Sequence, residues 1–310
     1  MTAASARKVS WWRSPLLTRE LKNRTATPRI AVAMVVWLGL LSVVFVLTYQ
    51  AYSGFDGFDV GRVAESGRSV FEWLLSAMLF IVLFLVPATT AGAIAGERER
   101  QTLLPLQVSM MSPLSIVLGK LSAAVAFTVL LIFMTTPLLA LTYLIGGVTV
   151  LDLAKGIAMV LLTSIMVGAV GVACSALTKR VQVATVLAYG FVVFITIGTS
   201  VLFGAAAVID DSRGFDQVNP PKELVALNPF FATADVFDSI GRFTGDDTDT
   251  PLGGARLALD ETDRVGDFQA RPATTSTRLW RWYVVSALAL TYLAVGFSVV
   301  RVRAPANVER

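Results

Sequence analysis

The segment Gly96-Glu97-Arg98-Glu99-Arg100-Gln101-Thr102 lies between two long apolar runs and constrains the fold more than any other feature. Four successive residues in it are charged, in a chain that is 55% hydrophobic. Each charged residue costs roughly 2.5–3.5 kcal/mol at the centre of a bilayer, so the four together disfavour insertion by about 10 kcal/mol. The segment is therefore predicted to lie at a membrane surface, and the runs on either side are predicted to cross the bilayer.

The rest of the chain predicts an all-α polytopic membrane protein with six transmembrane helices. Only 15% of the 310 residues are charged, whereas soluble globular proteins have roughly 25%. Several apolar stretches reach the roughly 20 residues that a spanning helix needs. Numbered one to six in chain order, the predicted spans are Ile30–Tyr49, Val70–Ala95, Leu114–Ile145, Leu153–Leu177, Val183–Ile209 and Trp280–Val300.

The placement of lysine and arginine predicts that both termini are cytoplasmic. These residues are concentrated before span one, at Arg98 and Arg100, at Lys179 and Arg180, and after span six. With six spans all these positions fall on one side, which the positive-inside rule assigns to the cytoplasm. The chain then divides into an N-terminal segment (1–29), spans one to five (30–209), an external segment (210–279), and span six with its tail (280–310).

The external segment is not uniform in composition. Residues 224–237 are apolar and are predicted to lie on, or dip into, the outer membrane interface. Residues 241–275 are acidic and rich in Gly, Thr and Asp, which favours a loosely ordered loop. Trp280, Trp282 and Tyr283 are predicted to anchor the outer end of span six, as aromatic belts do.

Several classes of function are excluded by what the sequence lacks. The chain contains no histidine, which rules out Ser-His and Cys-His catalysis and His-containing metal sites. We predict no catalytic, cofactor-binding or metal-binding residues, and the protein is not expected to be an enzyme. The net charge of +4 comes mainly from the flanks of the spans, so no nucleic acid partner is expected.

Energy for transport would have to come from another protein. Ion-coupled carriers keep ionisable residues inside their spans, but here the middles of all six predicted spans lack Asp, Glu, Lys and Arg, and Glu72 and Lys120 lie near ends where they can snorkel. The serines and threonines of the spans are expected to bond to the preceding helical turn. Gly119-Lys120 is followed by Leu121 and no glycine-rich phosphate loop precedes it. A separate ATPase subunit would therefore have to act on the cytoplasmic surface.

The run from Glu97 to Leu106, with Ser112-Pro113 and Gly119-Lys120 after it, resembles ABC-2 type transporter permeases. Gln101 departs from the pattern, because a glycine is common there. The stretch before span one resembles the amphipathic elbow helix of these permeases, on Leu16, Leu17, Arg19, Glu20 and Leu21. Leu227-Asn228-Pro229-Phe230 resembles their external segment before the last span.

This resemblance implies a complex. Two permease chains would pair, as a homodimer or a paralogous heterodimer, and each would bind one ABC ATPase subunit through a short cytoplasmic coupling helix. We call residues 96–113 the coupling segment; its expected working residues are Glu97, Arg98, Glu99, Arg100, Thr102, Leu103, Leu104, Ser112 and Pro113. Glu97 and Glu99 are expected to contact either the ATPase or the elbow helix. ATP would be bound by the partner subunit, with no cofactor on this chain.

The resemblance further implies a multi-pass protein of a bacterial plasma membrane that exports a cargo. An apolar pathway lined by spans two and five favours a hydrophobic or amphipathic substrate. The alternative is an ABC-type membrane scaffold or mechanotransmitting sensor that does not transport cargo. In that case the external segment would be its contact surface for an outside partner.

Overall fold

The computed structural model describes residues 28–52, 60–101, 112–212, 224–238, 250–255, 259 and 279–303. The elbow-helix residues, and Thr102, Leu103 and Leu104 of the coupling segment, lie outside these described residues. Within them the long elements are helices: α1 Pro28–Tyr52, α2 Val60–Thr90, α3 Ala95–Glu99, α4 Pro113–Ile145, α5 Val150–Leu177, α6 Val181–Val193, a π-helix Phe194–Gly198, α7 Thr199–Ser212, α8 Pro229–Asp238 and α9 Leu279–Arg303.

The described residues contain six helical stretches long and apolar enough to cross a membrane, which confirms the predicted all-α polytopic fold. Span two starts about ten residues earlier than predicted, at Val60 rather than Val70. The predicted span included Glu72 but began two residues after Arg68, and the structure places both side chains within one helix as an ion pair.

Span four lies at the centre of the bundle, where it packs against spans two, three and six. Small residues on α5 allow this close approach. A Cβ atom added to Gly171 would overlap the Thr90 side chain, and one added to Gly156 would come within 3.1 Å of Leu75.

Hydroxyl groups inside the spans bond to the preceding turn, as expected, and some of them also join spans. The Thr163 hydroxyl donates to the Met159 carbonyl oxygen and lies 2.6 Å from the Tyr283 hydroxyl in span six. Tyr283 is fully buried. Its predicted role in an interfacial aromatic belt is therefore wrong, because its polar group finds a partner inside the protein. Trp282, by contrast, is 56% exposed.

Glu72 does not snorkel. Its Oε1 lies 3.0 Å from Arg68 Nε, and both side chains are less than a tenth exposed. Its Oε2 accepts a 2.7 Å hydrogen bond from the Thr250 hydroxyl. We call this end of the bundle the Glu72 end and the opposite one the Glu97 end.

Residues 250–255 pack into the Glu72 end, so the expectation of a loose loop does not hold for them. The Thr250 hydroxyl oxygen accepts from the Gly253 amide and caps a helical turn at 251–255. Leu252 has no exposed surface and belongs to the main hydrophobic core. Average composition could not reveal this, because one hydroxyl and one leucine carry the contact.

Residues 224–238 also pack into the bundle, with α8 against spans four and six. The Asn228 amide nitrogen donates to the Thr196 carbonyl and to the hydroxyls of Thr199 and Ser200, at 2.9–3.0 Å. The interfacial position expected for residues 224–237 stays a prediction.

We predict that Glu72→Leu destabilises the protein by about 3–5 kcal/mol, because it leaves the Arg68 charge buried without this carboxylate. Adding Arg68→Met should recover most of the loss, since an apolar pair replaces the ion pair. Chemical unfolding in detergent micelles measures both effects. Glu65→Leu, at an exposed position of the same helix, is the control and should stay within about 0.5 kcal/mol of wild type.

Candidate functional site

The Glu97 end is organised around a break in span two. The α2 helix stops at Thr90, residues 91–94 form turns, and α3 runs from Ala95 to Glu99. The backbone amides of Ile94 and Ala95 both donate to the Ser175 hydroxyl oxygen, each at 2.9 Å. Ser175 lies on span four and is fully buried. One hydroxyl thus satisfies two amides of the break and connects the start of the coupling segment to the central helix.

An ion pair connects the coupling segment to span three. The ammonium of Lys120 lies 2.7 Å from Glu97 Oε1, and the two side chains are 13% and 22% exposed. Such a pair is attracted more strongly than one in water, because solvent screens it less. Lys120 therefore points to the coupling segment and not simply to the membrane surface.

Two further bonds connect the coupling segment to the turn between spans four and five. Glu99 Oε1 accepts a 2.8 Å hydrogen bond from the Val181 amide at the first residue of α6. A carboxylate at this position also interacts favourably with the helix dipole. Arg98 Nη1 donates to the Thr178 carbonyl oxygen at the end of α5, at 3.3 Å.

The described contacts of Glu97 and Glu99 join the coupling segment to spans three and five of the same chain, and the expected contact with the ATPase or the elbow helix stays a prediction. Both carboxylates hold the coupling segment in place. Transmission of force by the residues of this segment stays a prediction. This includes Arg100, whose side chain is exposed.

Gln101 has a positive φ of 57°, and its amide donates to the Arg98 carbonyl at 3.0 Å. Glycine is preferred where a helix ends in this left-handed conformation, because a Cβ atom makes it costly. The backbone therefore accounts for the glycine that is common at this position in the resembling permeases.

The coupling segment ends where span three begins, as the Ser112-Pro113 motif predicts. Ser112 is the N-cap of α4, its side chain accepts from the Ser115 amide, and Pro113 occupies the first turn. Both choices suit a helix start, where a capping oxygen is useful and a missing N–H costs nothing.

An apolar cluster completes the site beneath the break. Ile94 is fully buried against Ile116 and Val117 of span three, Val172 of span four and Val302 of span six. Five spans therefore meet at the start of the coupling segment, counting span five through Glu99. Sequence reasoning missed Ser175, because no local pattern distinguishes it from Ser164 on the same helix.

Among the described residues, no group of three or more His, Cys, Asp or Glu side chains could hold a metal ion.

Comparison with known proteins gives one informative match. Residues 47–300 match the family described as ABC-2 family transporter protein, which covers more than half of the chain. No curated protein matches the chain.

We predict that Ser175→Ala destabilises the protein by about 1–3 kcal/mol, because two buried amides lose their shared acceptor. Ser164→Ala is a matched control, since Ser164 lies on the same helix, is fully buried, and bonds only to the Leu161 carbonyl in the contacts described. Thermal unfolding in detergent compares the two variants. Equal losses would contradict a special role for Ser175.

Gln101→Gly should be tolerated or slightly stabilising, and Gln101→Val should be destabilising by about 1 kcal/mol or more, because a β-branched residue fits the left-handed conformation worst. Limited proteolysis near residue 101 together with thermal unfolding measures the effect. A valine variant as stable as the glycine variant would argue against the backbone geometry.

Proposed function

The chain belongs to the ABC-2 transporter family, and from that premise we propose that it forms the translocation pathway of an exporter driven by a separate ATPase subunit. Membership makes it a membrane permease component of an ABC transporter, a multi-pass and normally non-catalytic subunit. The family also implies an ABC ATPase as partner. The observation that carries the finer proposal is the attachment of the coupling segment to spans three, four and five.

These attachments suit a segment that receives force. The α3 helix is only five residues long, yet Lys120, Ser175 and the Val181 amide bind it or the turn before it from three different spans. A push on this segment would be shared by the ends of several helices at once. A loop bonded only to water would absorb the same displacement by bending.

The charge pattern supports a cytoplasmic position for the Glu97 end and hence for the ATPase. We infer that ATP is bound by that subunit, that a second permease chain pairs with this one, and that the complex lies in a bacterial plasma membrane. Span one keeps several large apolar side chains exposed, which suits contact with lipid or with the second chain. The apolar spans favour a hydrophobic or amphipathic cargo.

One observation favours a second candidate, a mechanotransmitting scaffold. Thr250 of the external segment bonds to Glu72, and the same span leads into the coupling segment at its other end. Movement of the coupling segment by the ATPase would thus pass along span two to the external segment and to an outside partner bound there, without transport of a cargo. Transport by the complex in proteoliposomes separates the two, because a scaffold would hydrolyse ATP without moving any substrate.

Purification of the full chain in mild detergent should recover an ATPase subunit.

We predict that Glu97→Gln with Glu99→Gln lowers substrate-stimulated ATP hydrolysis at least severalfold while the ATPase still binds, because the coupling segment loses its charged attachments. The control is Glu65→Gln, an exposed carboxylate near the opposite end of span two. Unchanged stimulated hydrolysis in the double variant would contradict the proposal.

A charge exchange tests the ion pair itself. Glu97→Lys should impair coupling because it faces Lys120, and the further change Lys120→Glu should restore a large part of it by re-forming the pair in reverse. The ratio of transport to ATP hydrolysis is the measurement. A double variant no better than the single one would show that Glu97 acts mainly through another partner.

A further inference from the structure

A small cleft opens at the Glu72 end between spans two and four, the turn before span four, and α8. Its walls include Arg68, Phe71, Glu72, Asp152 and Phe237. The arginine and two carboxylates give these lining residues a net formal charge of −1. Nothing in the proposed coupling at the opposite end uses this cleft.

Asp152 has an incomplete set of hydrogen bonds. Its Oδ2 accepts from the Thr149 amide at 3.0 Å and from the Thr149 hydroxyl at 2.7 Å, which forms the capping box of α5. Its Oδ1 is buried and has no hydrogen-bond partner, in a residue that is only 8% exposed. Buried polar atoms are nearly always bonded, so a missing donor at Oδ1 needs an explanation.

Of the two carboxylates that line the cleft, Asp152 is the one that a ligand can neutralise. Both Glu72 oxygens are already engaged, one by Arg68 and one by Thr250. The capping box satisfies the helix start through Oδ2 alone, so α5 does not require Oδ1. Arg68 is the one cationic side chain among the residues that line the cleft, and it already pairs with Glu72. The charge of Asp152 therefore has no cationic partner of its own in this lining.

We propose that the cleft binds a small protonated amine, ammonium or a primary alkylammonium ion, which donates an N–H to Asp152 Oδ1. Phe71 and Phe237 meet edge to face at 5.5 Å between ring centroids, and aromatic rings attract cations of this kind. A hard metal ion fits poorly, because calcium and magnesium take six or more oxygen ligands. Of the four carboxylate oxygens of Glu72 and Asp152, Asp152 Oδ1 is the one without a hydrogen bond.

The cleft is held open by close backbone packing around it. A Cβ atom on Gly67 would overlap the Gly146 carbonyl oxygen, and one on Gly147 would overlap that of Ala64. Gly147 also has a φ of +76°, a conformation that favours glycine. Span two and the turn before span four are thus fixed against each other, so that a ligand would enter a site that is already formed.

Equilibrium dialysis of radiolabelled methylammonium against the full chain in lipid nanodiscs tests the proposal. We expect one saturable site per chain, at least tenfold weaker in Asp152→Asn. Glu65→Gln removes an exposed carboxylate near the same end of the bundle and should bind like wild type. Tetramethylammonium, which has the charge but no N–H, should compete at least tenfold less well than ammonium.

Three results would overturn the site: no saturable binding, equal binding by Asp152→Asn, or equal competition by sodium and ammonium ions. If Asp152→Asn does not fold, Phe237→Leu replaces it, because it removes the ring and leaves the capping box intact. That variant should bind at least threefold more weakly, because it loses a cation–π contact. Unchanged binding there would count against the assignment. The outcome does not depend on whether the ATPase couples to the other end.

Discussion

The structure depends on one constraint: inside a bilayer every backbone amide and carbonyl needs a partner within the protein. A continuous helix meets this requirement by itself, but span two stops at Thr90 and resumes at Ala95. The Ser175 hydroxyl oxygen stabilises that interruption by accepting hydrogen bonds from the amides of Ile94 and Ala95. Once the break is stabilised, the coupling segment can leave the axis of span two, and its charged side chains can reach spans three and five.

The number of spans and their approximate bounds could be predicted from the sequence, because length and apolar composition are local properties. Ser112-Pro113 could be placed at a helix start for the same reason. Partners distant in sequence could not be predicted. The sequence position of Glu72 near the end of an apolar run predicts a place at the membrane surface, because its bond to Thr250, 178 residues away, leaves no local signal. The position of Tyr283 beside two tryptophans predicts an aromatic belt, because its bond to Thr163, two spans away, is equally invisible in the local sequence.

Charge is sparse in this chain, and among the described residues two ion pairs lie near the ends of span two. Arg68 with Glu72 closes one end of span two, and Glu97 with Lys120 closes the other. Each pair joins groups that would be costly alone at low dielectric. Span two therefore carries a polar junction near each end and a mainly apolar stretch between them.

The π-helix in span five has a consequence for the shape of that span. A wide turn of this kind accommodates one extra residue, and one residue corresponds to about 100° of rotation around a helix axis. The side chains of α7 are consequently turned about the helix axis relative to the positions that an uninterrupted α-helix would give them. Span five thus presents two unlike surfaces along its length, and Asn228 fixes the boundary between them by bonding to Thr196, Thr199 and Ser200.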